Sequence, residues 1–129
     1  MDTFTKRSEK KQELLQTVFG RAPAPDERPA QPGDEQLGLL TEILFGEIWS
    51  RPALEPRYRS LATVATLIAL NREVELKSHL YGALHLGWTK DQLLELILHM
   101  AFYAGAPVAN RALAVARELF AEADALPAP

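Results

Sequence analysis

From Ser60 to Leu70 the chain reads Ser-Leu-Ala-Thr-Val-Ala-Thr-Leu-Ile-Ala-Leu, without a charged side chain at any position. On a helix such a run offers no charged face to water and is expected to be buried nearly all round. The charges lie on either side of it: Glu47, Arg51, Glu55, Arg57 and Arg59 before, Arg72, Glu73, Glu75 and His79 after. Acids, arginines and one histidine around an uncharged helix can build a site for an anionic substrate without a metal or a bound cofactor.

The rest of the chain reads as helix, so the fold class is all-α with about six helices. A first helix spans residues 4–19, with Leu14, Leu15, Val18 and Phe19 as its apolar stripe and Gly20 as its stop. Prolines 23, 25, 29 and 32 then mark an extended connector. Asp34 can cap a second helix running to about Trp49, with Leu37, Leu40, Leu44 and Ile48 facing inward. Arg51-Pro52 and Glu55-Pro56 bracket a turn before the uncharged third helix. Asn71 can cap a fourth helix that Gly87 closes, and Thr89-Lys-Asp-Gln is a capping box for a fifth. Between Leu93 and Tyr103 only Glu95 and His99 are polar, so this helix too reads as enclosed. A sixth starts near Pro107, with Val108, Ala112, Val115, Leu119 and Ala123 inward and Arg111, Glu118 and Glu122 outward. Residues 1–33 thus form an N-terminal helix and Pro-rich connector, and residues 34–126 a helical domain. Two helices apolar almost all round are more than a monomer of this size covers, which predicts a homo-oligomer.

Composition removes several classes of function. With 14 basic and 17 acidic residues interspersed and a net charge of −3, the chain has no basic face for a phosphate backbone, so nucleic acid is not an expected partner. Its apolar runs fall short of the ~18 residues a bilayer span needs, and Met1 is followed by charged residues rather than an apolar signal region, so a soluble cytoplasmic protein is expected. There is no cysteine, which removes disulfides, thiolate nucleophiles and thiol-ligated metals.

Three polar stripes remain as candidates for chemistry. Arg59, Thr63 and Thr66 fall at i, i+4 and i+7 on the third helix. Arg59 needs an anionic partner, either Glu47 or Glu55 in a structural pair or a substrate carboxylate, with Arg51 and Arg57 close in sequence. Glu75 and His79 are i, i+4, so the carboxylate can stabilise the protonated imidazole and hold it as a proton donor; alone, His79 would be an ordinary histidine at a core edge. Glu95, His99 and Tyr103 form a third row that reads as a polar seam at a helix or subunit contact, and His85 reads as a surface residue. No third ligand is fixed by spacing beside either Glu/His pair, so no metal is expected.

Gly46-Glu47-Ile48-Trp49-Ser50-Arg51-Pro52-Ala53-Leu54, then Arg59-Ser60-Leu61, Arg72-Glu73-Val74-Glu75-Leu76 and Ser78-His79, together resemble the carboxymuconolactone decarboxylase family. Ala83-Leu84 with Gly87, His99, Tyr103-Ala104-Gly105-Ala106-Pro107 and Asn110 continue the likeness, which covers roughly residues 37–120. The resemblance implies a helical bundle like that of alkyl hydroperoxidase D, assembled as a trimer or hexamer with sites near subunit contacts. Peroxidases of that superfamily carry E-x11-C-x2-C-x3-H, whose positions are Ser60, Arg72, Glu75 and His79 here. Only the histidine survives, so thiol peroxidase chemistry is impossible.

The resemblance further implies cofactor-independent decarboxylation of 4-carboxymuconolactone to 3-oxoadipate enol-lactone in aromatic catabolism, with a small anionic lactone as partner. Within it His79 is the expected general acid, oriented by Glu75. Arg59 clamps substrate carboxylates with Arg51 or Arg57, and Glu47 positions these groups or relays a proton. Trp49 walls the pocket, and Ser60 is a further substrate-binding residue. After the first helix, family decarboxylases of that pathway carry a Gly-x-x-His-Val-Asp-like segment, where this chain has Gly20-Arg-Ala-Pro-Ala-Pro. That departure keeps two alternatives in view, a paralogue acting on another small lactone or oxo-acid, and a noncatalytic helical oligomer.

Overall fold

A computed structural model describes residues 3–20 and 28–125 as six α-helices with no strand among them. The helices are α1 (Thr3–Phe19), α2 (Asp34–Ile43), α3 (Pro56–Ala69), α4 (Glu73–His85), α5 (Lys90–Ala104) and α6 (Ala106–Ala125). Prolines 23 and 25 and the Arg-Ala-Pro-Ala-Pro segment lie outside the described residues. Two compact units divide the chain, Met1–Pro56 and Arg57–Pro129.

In the first unit α1 packs against α2 and against the turn that follows α2. Leu14 and Val18, two of the four stripe residues expected on α1, are buried together with Trp49. Phe45 joins them, its ring 6.3 Å from Phe19 and 5.7 Å from Trp49. The second helix departs from its expected form in three ways. It starts after Gly33, whose φ of 94° ends the preceding turn, so Asp34 is not the cap. The Asp34 carboxylate instead accepts from the Gln31 N–H at 2.7 Å and from both terminal nitrogens of Arg28 at 3.1 and 2.8 Å. The α-helix then ends at Ile43, and Leu44–Ile48 widen into a π-helical turn closed by the Trp49 N–H on the Leu44 carbonyl at 2.9 Å. Leu37, Leu40, Leu44 and Ile48, expected inward, are exposed. Buried Gly46 lies instead against the α1 backbone, where a Cβ would collide with the Arg7 carbonyl oxygen and approach the Arg7 Cγ to 2.6 Å.

In the second unit α6 packs against both α4 and α5. One core joins Val64 and Ile68 of α3, Leu76, Leu80 and Ala83 of α4, Leu93 and Ile97 of α5, and Ala109, Ala112, Val115, Ala116 and Leu119 of α6. Ala112, Val115 and Leu119 are three of the five residues expected inward on α6, while Val108 and Ala123 are only partly buried, and Lys77 of α4 bridges outward-facing Glu118 and Glu122 at 2.9 and 2.8 Å. These carboxylates, Glu122 most strongly, raise the Lys77 pKa. The uncharged third helix is not buried all round: Ser60, Val64 and Ile68 make one buried stripe, while Ala62, Thr66 and Ala69 are exposed. α5 is likewise half open, with Leu93 and Ile97 buried but Phe102 83% and Tyr103 78% exposed.

Two helix ends explain the α3–α4 connection. Asn71 has φ 56°; its N–H reaches the Ile68 carbonyl at 3.1 Å, and the Arg72 N–H reaches Leu67 at 3.0 Å. That paired pattern is a Schellman closure of α3, so Asn71 ends the third helix rather than capping the fourth, whose N-cap is Arg72. Gly87 closes α4 in the same way: its N–H meets Leu84 and that of Trp88 meets Ala83, both at 3.0 Å. The capping box opening α5 forms as expected, with Gln92 and Thr89 exchanging bonds at 3.0 and 3.1 Å.

Candidate active site

The residues singled out for chemistry belong to both units: Glu47, Trp49 and Arg51 to the first, Arg57, Arg59, Ser60, Glu75 and His79 to the second. In the first unit the π-helical turn aims Glu47 at α1, where the Arg7 side chain pairs with it, Nη2 to Oε1 at 2.5 Å and Nε to Oε1 at 2.6 Å. Sequence reasoning had offered Arg59 as the partner of Glu47 and did not consider Arg7, forty residues away. Trp49 and Arg51 line one side of a cleft of about 310 Å³, with Glu55 beside them and Lys10, Leu14 and Thr17 of α1 opposite. Trp49 is 5% exposed, so it walls this cleft from within the core.

In the second unit the stripe on α3 is divided. Thr63 and Thr66 donate their hydroxyls to the carbonyls of Arg59 and Ala62, both at 2.8 Å, and so spend their protons on their own helix. Arg59 is half-buried. Ser60 is wholly buried, and its Oγ has no hydrogen-bond partner among the described residues. A hydroxyl buried without a partner costs on the order of 1–3 kcal/mol, so this atom retains hydrogen-bonding capacity that a ligand can use.

His79 is half-buried on α4, its Nδ1 shielded from solvent, and Glu75 one turn away is exposed. Desolvation lowers the His79 pKa from its ordinary 6.5, and the Glu75 carboxylate opposes this without reversing it. The expected stabilisation of imidazolium by Glu75 is therefore outweighed by burial, and at neutral pH the imidazole of the free chain is uncharged. His85 is exposed, and so is the row Glu95, His99 and Tyr103, in which the two rings lie 4.7 Å apart.

Arg57 is organised by a residue that sequence reasoning passed over. Trp88 donates its indole N–H to the Arg57 carbonyl at 2.9 Å, and the Arg57 guanidinium lies 4.1 Å from the centre of the same ring. The available signal was position: Trp88 directly follows the Gly87 stop, where a Schellman closure folds a large apolar side chain back onto the helix.

The described residues form an all-α fold that presents arginines, a buried hydroxyl and a desolvated histidine, and the chain has no thiol, which defines a cysteine-free helical protein with a site for anions. Residues 35–118 match the carboxymuconolactone decarboxylase family, a span that includes all eight candidate residues, and the chain belongs to that family. It is 49% identical over 82 residues to the 4-carboxymuconolactone decarboxylase of Acinetobacter baylyi, covering 64% of this chain and 61% of the relative. It is 36% identical over 88 residues to a nitrosuccinic acid decarboxylase of Metarhizium robertsii, covering 68% and 59%. A 15.0 kDa protein of Paracoccus denitrificans is 30% identical over 87 residues, covering 66% and 65%. The chain thus spans about 60% of the length of the curated relatives it matches. No helix among the described residues is long and apolar enough to cross a membrane.

Proposed function

We propose that the chain is a cofactor-independent carboxy-lyase that converts 4-carboxymuconolactone to 3-oxoadipate enol-lactone as a homo-oligomer. The observation that carries this reading is the 49% identity to a decarboxylase of that name. The departing carboxylate sits on a carbon vinylogous to the lactone carbonyl. When its C–C bond breaks, CO2 leaves and the electron pair enters the conjugated lactone as a dienolate, so the substrate is its own electron sink. Protonation of the dienolate at carbon completes the reaction, and the protein has only to hold charge, stabilise an oxyanion and deliver one proton.

Arg59 and Arg57 are the groups suited to the carboxylates, and the Ser60 hydroxyl is an unspent donor for the oxyanion. His79 is the acid, but being uncharged in the free chain it has to gain its proton as the substrate binds. A bound anion supplies the negative field that raises an imidazole pKa, so binding and proton uptake are coupled. Glu75 works in the same direction.

The likeness to a nitrosuccinic acid decarboxylase supports a second substrate for the same machinery, because a nitro group, like a conjugated lactone, accepts the electrons that CO2 leaves behind. The assay is loss of lactone ultraviolet absorbance with the purified full chain, run beside CO2 release from nitrosuccinate. Absence of lactone turnover removes the first substrate. Near wild-type turnover by His79→Ala and Arg59→Ala removes the assigned roles.

A further inference from the structure

We propose that Trp88 is a positioning residue that presents Arg57 as an anion clamp for one carboxylate of a small dicarboxylic substrate, an inference that rests on the decarboxylase reading. Three contacts fix this arrangement. The Trp88 indole N–H binds the Arg57 backbone at 2.9 Å, the ring supports the guanidinium at 4.1 Å, and Tyr58 meets the ring edge-on with centroids 6.3 Å apart. The backbone bond and the stack act on the same residue, so they fix both where Arg57 starts and where its side chain ends.

What Arg57 lacks is a counter-ion. Arg7, Arg28 and Arg111 each face a carboxylate, Glu47, Asp34 and Glu73 respectively. Arg57 faces none among the described residues, and its buried Nε has no hydrogen-bond partner there. A guanidinium taken partly out of water is stabilised when an anion completes it. Stacking covers its face and leaves its in-plane N–H edge, the fork that matches a carboxylate. Arg57 is also on the productive side of α3: Arg57, Ser60 and Val64 are spaced i, i+3, i+7, and Val64 shares a core with Leu76, Leu80 and Ala83 of α4. His79, three residues after Leu76 and four before Ala83, is on the matching side of α4. Arg57 and His79 thus lie on the sides of α3 and α4 that carry core residues.

The test combines lactone kinetics with calorimetric binding of adipate, an unreactive dicarboxylate, in the full chain. Arg57→Gln and Trp88→Leu are expected to raise KM on the order of tenfold with kcat nearly unchanged, and to weaken adipate by a similar factor. Trp88→Phe, which keeps a ring but loses the indole N–H, falls between, and guards against a Trp88→Leu variant that does not fold. Because Trp88 acts through Arg57, the double variant Arg57→Gln/Trp88→Leu matches Arg57→Gln alone. KM and adipate affinity unmoved by these substitutions, or losses that multiply in the double variant, overturn the clamp while turnover of the lactone leaves the decarboxylase reading standing. Conversely, a wild type that ignores the lactone yet binds adipate through Arg57 and Trp88 removes the lactone as substrate and sustains the clamp.

Discussion

His79 is pulled two ways, toward neutrality by desolvation and toward charge by Glu75, and desolvation wins. The folded chain therefore binds its proton less readily than the unfolded chain does. His79 contributes stability that is fully present above about pH 6.5 and is lost as pH falls through the depressed folded value. Unfolding midpoints in urea should drop on acidification below that point, and His79→Gln should flatten the drop; a wild-type slope retained in the variant assigns the effect elsewhere. Catalysis adds a second signature. If a bound anion restores the proton, kcat, which reports the complex, should lose activity with rising pH at a higher pH than kcat/KM, which reports the free chain. Coincident limbs would show that binding does not move the proton. The Glu75–His79 neighbour relation was legible because i, i+4 spacing fixes it. The charge state was not, because it depends on how far the fold takes the ring out of water. The Arg7–Glu47 pair was hidden for a similar reason, since forty residues separate its members and no local pattern joins them.

At the level of elements, caps and periods with short-range causes were readable and close approaches were not. The Thr89 capping box and the Ala112, Val115 and Leu119 part of the inward row of α6 depend on residues within one or two turns, and both formed as expected. The π-helical turn at Leu44–Ile48 depends on α1, which meets it at Gly46. Because a Cβ there meets Arg7 backbone rather than a yielding side-chain tip, Gly46→Ala should cost about 1–3 kcal/mol, the usual range for overpacking, seen as a lower urea midpoint with unchanged slope. An unchanged midpoint would mean that α1 does not pack so closely. Asn71 offers a sharper distinction. At an N-cap, Asn71→Ser would be neutral, since both side chains cap well. In the left-handed position that ends α3, serine should cost on the order of 1 kcal/mol and Asn71→Gly nothing or less. Thermal melts of the two variants separate the cases.

At the scale of the whole molecule, the sequence counted apolar residues well but could not say which partner covers them. Leu37, Leu40, Leu44 and Ile48 keep their helical row, yet Leu40 is 63% exposed, and on α5 Leu98, Phe102 and Tyr103 are open as well. Each unit thus carries an apolar face that its own residues leave uncovered. Isolated exposed leucines are ordinary on a protein surface, but contiguous rows of this kind mark interfaces. The α2 row reads as inward and α5 as enclosed because an apolar stripe looks alike whether another helix of the chain or another copy covers it. A homo-oligomer reconciles the pattern with the exposure, and light scattering at micromolar concentration should give a mass that is a multiple of 14.3 kDa. Leu40→Asp and Phe102→Asp each place a charge on one of these faces, where burial without a counter-charge is unfavourable, so each should lower the mass without lowering helix content. A wild type that scatters as a monomer would leave both faces to some other partner, and a mass unchanged by either aspartate would move the interface off these helices.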